Sequence, residues 1–116
     1  MTEQELKMRT KQFALRIIKL VGALPDSVAG RTIGNQLIRA GTSVGANYRA
    51  ACRGRSKGEF AAKVGIVIEE ADECGYWLEL VVDAGLLAPN LVESLQKEAD
   101  EITAIMVASR KTAQGH

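Results

Sequence analysis

Histidine and cysteine are almost missing from this chain and aromatic residues are few, and each shortage removes a class of function. The one histidine, His116, is the last of 116 residues, so the commonest general base and the commonest zinc ligand are absent from the body of the chain. No catalytic residue, metal site or cofactor is expected, and a histidine-dependent enzyme is excluded. Two cysteines, Cys52 and Cys74, are too few and too far apart for a disulfide framework or a CxxC metal site, so both are expected to be free thiols in apolar surroundings. Aromatics make up only 4% of the chain, which leaves no stacking platform for sequence-specific recognition of single strands. No apolar run approaches the roughly 20 residues that span a bilayer, and the segment Met1 to Lys7 is charged. A cytoplasmic protein without membrane contact is expected.

What is present is aliphatic. Hydrophobic residues reach 47%, a balance that suits a helix bundle better than a sandwich or barrel. Apolar positions recur at helical spacing in four segments, predicted over residues 3–23, 27–54, 57–85 and 89–111. Their stripes are Leu6, Phe13, Ile17, Leu20, Val21, Leu24; then Ile33, Leu37, Val44, Tyr48, Ala51; then Phe60, Val64, Val67, Ala71, Cys74, Leu78, Val81; and finally Leu91, Leu95, Ile102, Ile105, Met106. Pro25-Asp26-Ser27 stops the first segment and supplies a cap for the second. Ser56-Lys57-Gly58-Glu59 fits a capping box, and Pro89 suits a first helical turn. Only Thr112 to His116 read as a frayed end. Short connections make neighbours antiparallel, so the expected fold is an all-α, up-down-up-down four-helix bundle in one domain.

Two features go beyond a plain bundle. The run from Gln36 to Arg49 places small and polar residues where a helix normally carries large apolar ones. Glycine inside a helix costs about 1 kcal/mol relative to alanine, and the Gly41-x-x-x-Gly45 spacing offsets that cost by letting a neighbouring backbone approach, with Gly65 the expected counterpart. Asn47, one turn after Ser43, is expected to face a buried helix contact and fix register. The third segment also has apolar residues off its main stripe, Ile66, Ile68, Trp77, Leu80 and Val82. Together with Ile38 they predict self-association through the side formed by the second and third helices, with Ile38, Ile66, Trp77 and Leu80 as candidate interface residues.

The run Thr42-Ser43-Val44-Gly45-Ala46-Asn47-Tyr48-Arg49, followed by Ser56-Lys57-Gly58-Glu59-Phe60 and by Glu69 to Leu78, resembles the four-helix-bundle family of 23S ribosomal RNA intervening-sequence proteins. The resemblance covers nearly the whole chain. It implies a homopentameric ring, and a related accessory protein of diversity-generating retroelements is a basic pentamer that binds nucleic acid. One departure is that Ala50 and Ala51 stand where the family commonly carries a glutamate, so no contact of that glutamate is carried over. The family name records a genetic location and does not itself imply binding to the ribosome.

Charge is nearly balanced in number but not in place. Arg31, Arg39, Arg49, Arg53, Arg55 and Lys57 follow one another with no acid between them, whereas Glu59, Glu69, Glu70, Asp72, Glu73, Glu79 and Asp83 follow with only Lys63 among them. Antiparallel geometry sets Glu69 to Glu73 roughly 20 Å along the axis from the basic turn. The topology adds Lys7, Arg9, Lys11, Arg110 and Lys111 to that end and gathers Asp26, Glu79, Asp83 and Glu93 at the other. A ring would repeat this as a basic rim. The reading that follows is a non-catalytic oligomeric scaffold binding RNA or DNA phosphates through Arg49, Arg53, Arg55 and Lys57. The competing reading is an adaptor that presents the acidic third helix or the helix ends to a protein partner. Glu69-x-x-x-Glu73 lacks the histidines of a di-iron bundle.

Overall fold

Side-chain oxygens start three of the four helices of the computed structural model, which describes residues 1–115. Helix α1 (Glu3–Gly22) begins with a capping box: Thr2 Oγ1 accepts from the Glu5 amide at 3.1 Å, and the Glu5 carboxylate accepts from the Thr2 amide at 3.1 Å. Ser27 caps α2 (Val28–Cys52) by accepting from the Gly30 amide at 3.0 Å. Ser56 caps α3 (Lys57–Asp83) by accepting from the Glu59 amide at 3.1 Å. The expected reciprocal bond is shifted by one residue, since the Glu59 carboxylate accepts from the amide of Arg55 rather than that of Ser56. Helix α4 (Pro89–Ala113) has no side-chain cap and relies on Pro89, whose missing N–H leaves nothing to satisfy.

The ends are equally specific. Gly85 adopts φ +69° after α3, the Gly85 amide donates to Val82 O at 3.0 Å and the Leu86 amide to Val81 O at 2.9 Å. This paired return to the last turn needs a residue tolerant of positive φ, which is why the helix stops there. Gly115 ends α4 in the same conformation at φ +78°. Thr112 and Ala113, expected in a frayed end, are therefore helical; His116 lies outside the described residues.

Each helix packs on its chain neighbours and α4 returns to α1, while the diagonal pairs α1/α3 and α2/α4 make no close backbone approach. The result is an antiparallel four-helix bundle measuring 45 × 19 × 19 Å. No strand occurs among the described residues. The core is one cluster built on Phe13, Ile17, Leu37, Leu78, Ile102 and Met106, all nearly inaccessible. Thr10 joins it because its hydroxyl donates to Leu6 O at 2.8 Å within its own helix, which removes the penalty for burying it. On α4 the buried line is Val92, Leu95, Ala99, Ile102 and Met106. Leu91, expected in the stripe, is 60% exposed: it sits in the first turn of α4 at the edge of the face kept by 92, 95, 99, 102 and 106, and Val92, a third of a turn round, is buried in its place.

The glycines of α2 serve α1. A Cβ at Gly41 would sit 2.9 Å from Ile17 Cγ2, one at Gly45 would sit 3.2 Å from Thr10 Oγ1, and one at Gly34 would sit 3.1 Å from Val21 Cγ1. The expected counterpart, Gly65, instead faces Arg110 of α4: a Cβ there would sit 3.3 Å from the Arg110 Nη1. A GxxxG spacing defines a flat face without saying which neighbour covers it. Asn47 also departs from expectation: its side-chain amide donates to Ser43 O at 2.9 Å, one turn back in its own helix, and makes no bond to another helix among the described residues.

These contacts separate two glycine substitutions that helix propensity alone treats alike. Gly75, in α3, has open space where a Cβ would go, so Gly75→Ala should gain up to about 1 kcal/mol. Gly41→Ala gains the same propensity but drives a methyl into the stiff, fully buried Ile17, and should lose about 1–2 kcal/mol net. Thermal unfolding followed by circular dichroism would show the melting temperature rising for the first and falling for the second.

Candidate functional site

One end of the bundle gathers the start of α1, the end of α2, the turn 53–56, the start of α3 and the end of α4. The sequence-predicted phosphate contacts Arg49, Arg53, Arg55 and Lys57 are all exposed there. Among the described residues none of the four has a carboxylate within ion-pair distance. The acids of the same end have partners of their own: Glu5 accepts the Thr2 amide and Glu59 the Arg55 amide, which sets the Glu59 carboxylate beside the turn, and Glu3 pairs with Lys7 at 3.8 Å.

Two arginines along the sides of the bundle, Arg9 and Arg39, are paired with carboxylates, which the sequence pattern did not reveal, while Arg16 donates to Ser94 Oγ at 2.7 Å. Arg39 of α2 reaches Glu70 of α3 at 3.3 Å and also bonds Glu73. The Glu73 carboxyl is held below the usual carboxylate range by the Trp77 indole, whose Nε1 donates to it at 3.0 Å, and by Arg39. Arg9, expected to add to the basic end, forms a two-pronged bridge from α1 to α4: its Nε donates to Glu98 Oε2 at 2.8 Å and its Nη2 to Glu98 Oε1 at 2.7 Å, with Glu101 at 2.7 Å as well. Arg31 and Asp26 pair at 2.6 Å at the other end, fully in solvent.

Two open grooves flank the basic end. One, of about 540 Å³, runs between the start of α3 and the end of α4 and has Lys57 and Arg110 on its walls, over a floor of Gly58, Ala61 and Gly65. The other, of about 330 Å³, lies between α1 and α2 with Lys11 and Arg49 on its walls. Small residues make both floors shallow, so a chain of phosphates can approach the cations without displacing side chains. Gly65 forms part of the floor of the first groove, where a Cβ would crowd the Arg110 Nη1 at 3.3 Å.

The candidate interface residues do not form one patch. Ile66 is 37% exposed, while Trp77 and Leu80 are half-buried and pack against the core together with Ile68 and Val82. Much of the apolar surplus of α3 is thus absorbed inside the protomer. Ile38 lies on the opposite edge of α2: it follows Gly34 by one turn and precedes Gly41 by one turn, so it shares their side, toward α1. Arg39, a third of a turn away, is the residue that faces α3.

Neither cysteine is poised for chemistry. Cys74 is buried and its thiol is pushed up to about 12 by burial. Cys52 is half-buried and its thiol is also raised, first by burial and then by Glu3. Among the described residues there is no group of three or more potential metal ligands, and no helix long and apolar enough to cross a membrane.

Four antiparallel helices, a glycine-lined seam and a cationic end define a small all-α bundle protein. The chain belongs to the 23S rRNA-intervening sequence protein family, whose model matches residues 2–108. A solved protein of unknown function, from the S23 ribosomal protein family of Bacteroides thetaiotaomicron, is 32% identical and superposes with a TM-score of 0.85, covering 91% of this chain and 98% of that one. Among curated proteins none matches.

The Arg9 bridge predicts a pH response. Hydrogen bonding from Arg9 lowers the Glu98 carboxyl below its ordinary value, so its stabilisation is complete above the unfolded carboxylate value of about 4.3 and is lost as pH falls through the lower folded value. Glu98→Gln should cost about 1–2 kcal/mol at neutral pH. In urea unfolding it should lose less further stability than the parent between about pH 5 and about pH 3.

Proposed function

We propose that this protein is a non-catalytic, homo-oligomeric scaffold that binds the phosphates of RNA or DNA at its basic end, without reading bases. The observation that carries this reading is the division among its arginines. Arg9 and Arg39 are held by carboxylates on neighbouring helices, whereas Arg49, Arg53, Arg55 and Lys57 stand exposed with no such partner among the described residues. Cations so placed gain from a polyanion because its counterions are released when the phosphates are neutralised. The two shallow grooves support backbone contact, and the scarcity of aromatics favours phosphate over base contact. A pentameric ring is the assembly that the family resemblance implies, and it would bring several basic ends to one face.

The adaptor reading rests on the acidic surface of α3. Two of its carboxylates, Glu70 and Glu73, are already engaged by Arg39, while Glu69, Asp72, Glu79 and Asp83 remain exposed along it.

Fluorescence anisotropy with a labelled single-stranded RNA and a labelled DNA duplex tests the proposal. With four phosphates contacted, affinity should fall about a hundredfold between roughly 50 and 200 mM salt. Arg53→Glu combined with Arg55→Glu should weaken binding about tenfold or more at the lower salt. Unchanged affinity in that double variant would remove the assignment of the site.

A further inference from the structure

Three exposed apolar side chains stand on α1, more than on any other helix, and on an outward face that the apolar stripe of the sequence does not mark. Met8, Leu15 and Ile18 are 59%, 49% and 45% exposed. With Lys11 between them they follow steps of three, four and three residues, so they form one seam along the helix. That seam points away from the core residues Phe13 and Ile17. Ile38 of α2 lies beside it, on the α2 edge that carries the glycine contact with α1. The seam is apolar and basic: beyond Glu5 α1 holds no acid, and Lys11 and Lys19 are exposed on the seam or next to it, without a salt-bridge partner among the described residues.

Helix α3 carries the complement. Ile66, Glu69, Glu73, Tyr76 and Leu80 follow the same spacing on its outward side. Ile66 is 37% and Tyr76 56% exposed, and Tyr76 meets the Trp77 ring edge-on at 5.3 Å. Glu69, exposed, has no cation within ion-pair distance among the described residues. Met8 to Ile18 and Ile66 to Tyr76 each span about 15 Å of helix. The two seams therefore match in length and spacing and are opposite in charge. They stand on diagonally opposite corners of the bundle, since α1 and α3 make no close approach, and so they face in opposite directions.

We infer that the α1 seam of one copy docks on the α3 seam of the next, Met8, Leu15 and Ile18 packing against Ile66 and Tyr76, with Lys11 near Glu69. This contact rests on the oligomeric part of the proposed function and specifies its interface. Because the two surfaces differ, the contact is head-to-tail: each copy retains one free surface of each kind, so copies add on as a ring where the rotation between neighbours closes and as an open chain where it does not. A self-matched two-fold contact would end at a dimer. The pairing of unlike charge also disfavours α1 against α1 and α3 against α3.

Mixing two surface variants distinguishes these geometries. Lys11→Glu with Leu15→Glu disables the α1 seam, and Glu69→Lys with Tyr76→Lys disables the α3 seam. By multi-angle light scattering, the parent should run as a multimer and each variant alone as a monomer. The two variants mixed should give a one-to-one dimer, because one intact α1 seam and one intact α3 seam remain. A monomeric parent would overturn this contact and the oligomeric scaffold together. A multimeric parent with either variant still at the parent's mass, or two monomeric variants that do not combine, would overturn the contact and leave the scaffold standing. Circular dichroism checks that each variant is folded. Should one unfold, Leu15→Ala with Ile18→Ala and Ile66→Ala with Tyr76→Ala remove the same contact without new charge, and the same outcomes decide.

Discussion

Where Ile17 lies against the bare backbone of Gly41, α1 and α2 come so close that a methyl group would fall 2.9 Å from a side-chain carbon. The same line of approach continues at Gly34 beside Val21 and at Gly45 beside Thr10. Having α1 flush against this edge of α2 turns the opposite edge, with Arg39, toward α3. The side of α1 away from the core is left facing solvent. The remaining α1 contact, with α4, carries the Arg9 fork across Glu98 and Glu101 and the bond from Arg16 to Ser94. Removing bulk at three positions of one helix therefore sets which surfaces of the bundle face inward.

Helix boundaries and most of the core were legible in the amino-acid sequence because capping residues and apolar spacing act locally. Ser27, Ser56 and Pro89 mark helix starts wherever the helices later pack, and the stripe on α3 can be read without knowing its neighbours. Errors arose where the answer depends on a partner helix. Gly65 was assigned to Gly41 because both are small, yet what lies over it is the Arg110 guanidinium, a long side chain anchored on α4. Leu91 and Val92 differ by one position, and only the register of α4 decides which is inside.

The candidate site divides in the same way. The exposed cations at the turn could be found from the run of bases between Arg49 and Lys57, because a turn sits at a helix end wherever the helices pack. That Arg9 is neutralised could not be found so, since Glu98 is distant in sequence and arrives only when α1 closes on α4. The outward seam of α1 was missed for another reason: Met8, Leu15 and Ile18 look like ordinary scattered apolar residues until burial shows that the inner stripe is already complete with Leu6, Phe13, Ile17 and Leu20. Ile38 was grouped with Ile66 on the assumption that one surplus means one surface, whereas α2 has two edges and Ile38 stands on the one next to α1.

The separation of charge along the bundle axis has a thermodynamic consequence for any assembly in which neighbouring copies keep their helices parallel. Like ends then lie side by side, and the cluster of Arg53, Arg55 and Lys57 on one copy repels the same cluster on the next. Added salt screens that repulsion, but it also screens the attraction of Lys11 for Glu69, while it strips phosphates from the basic ends. Polyanion binding would thus fall steeply with ionic strength, and assembly, where the two effects oppose each other, much less. A nucleic acid lying across several basic ends would itself act as the screening ion that holds the copies together.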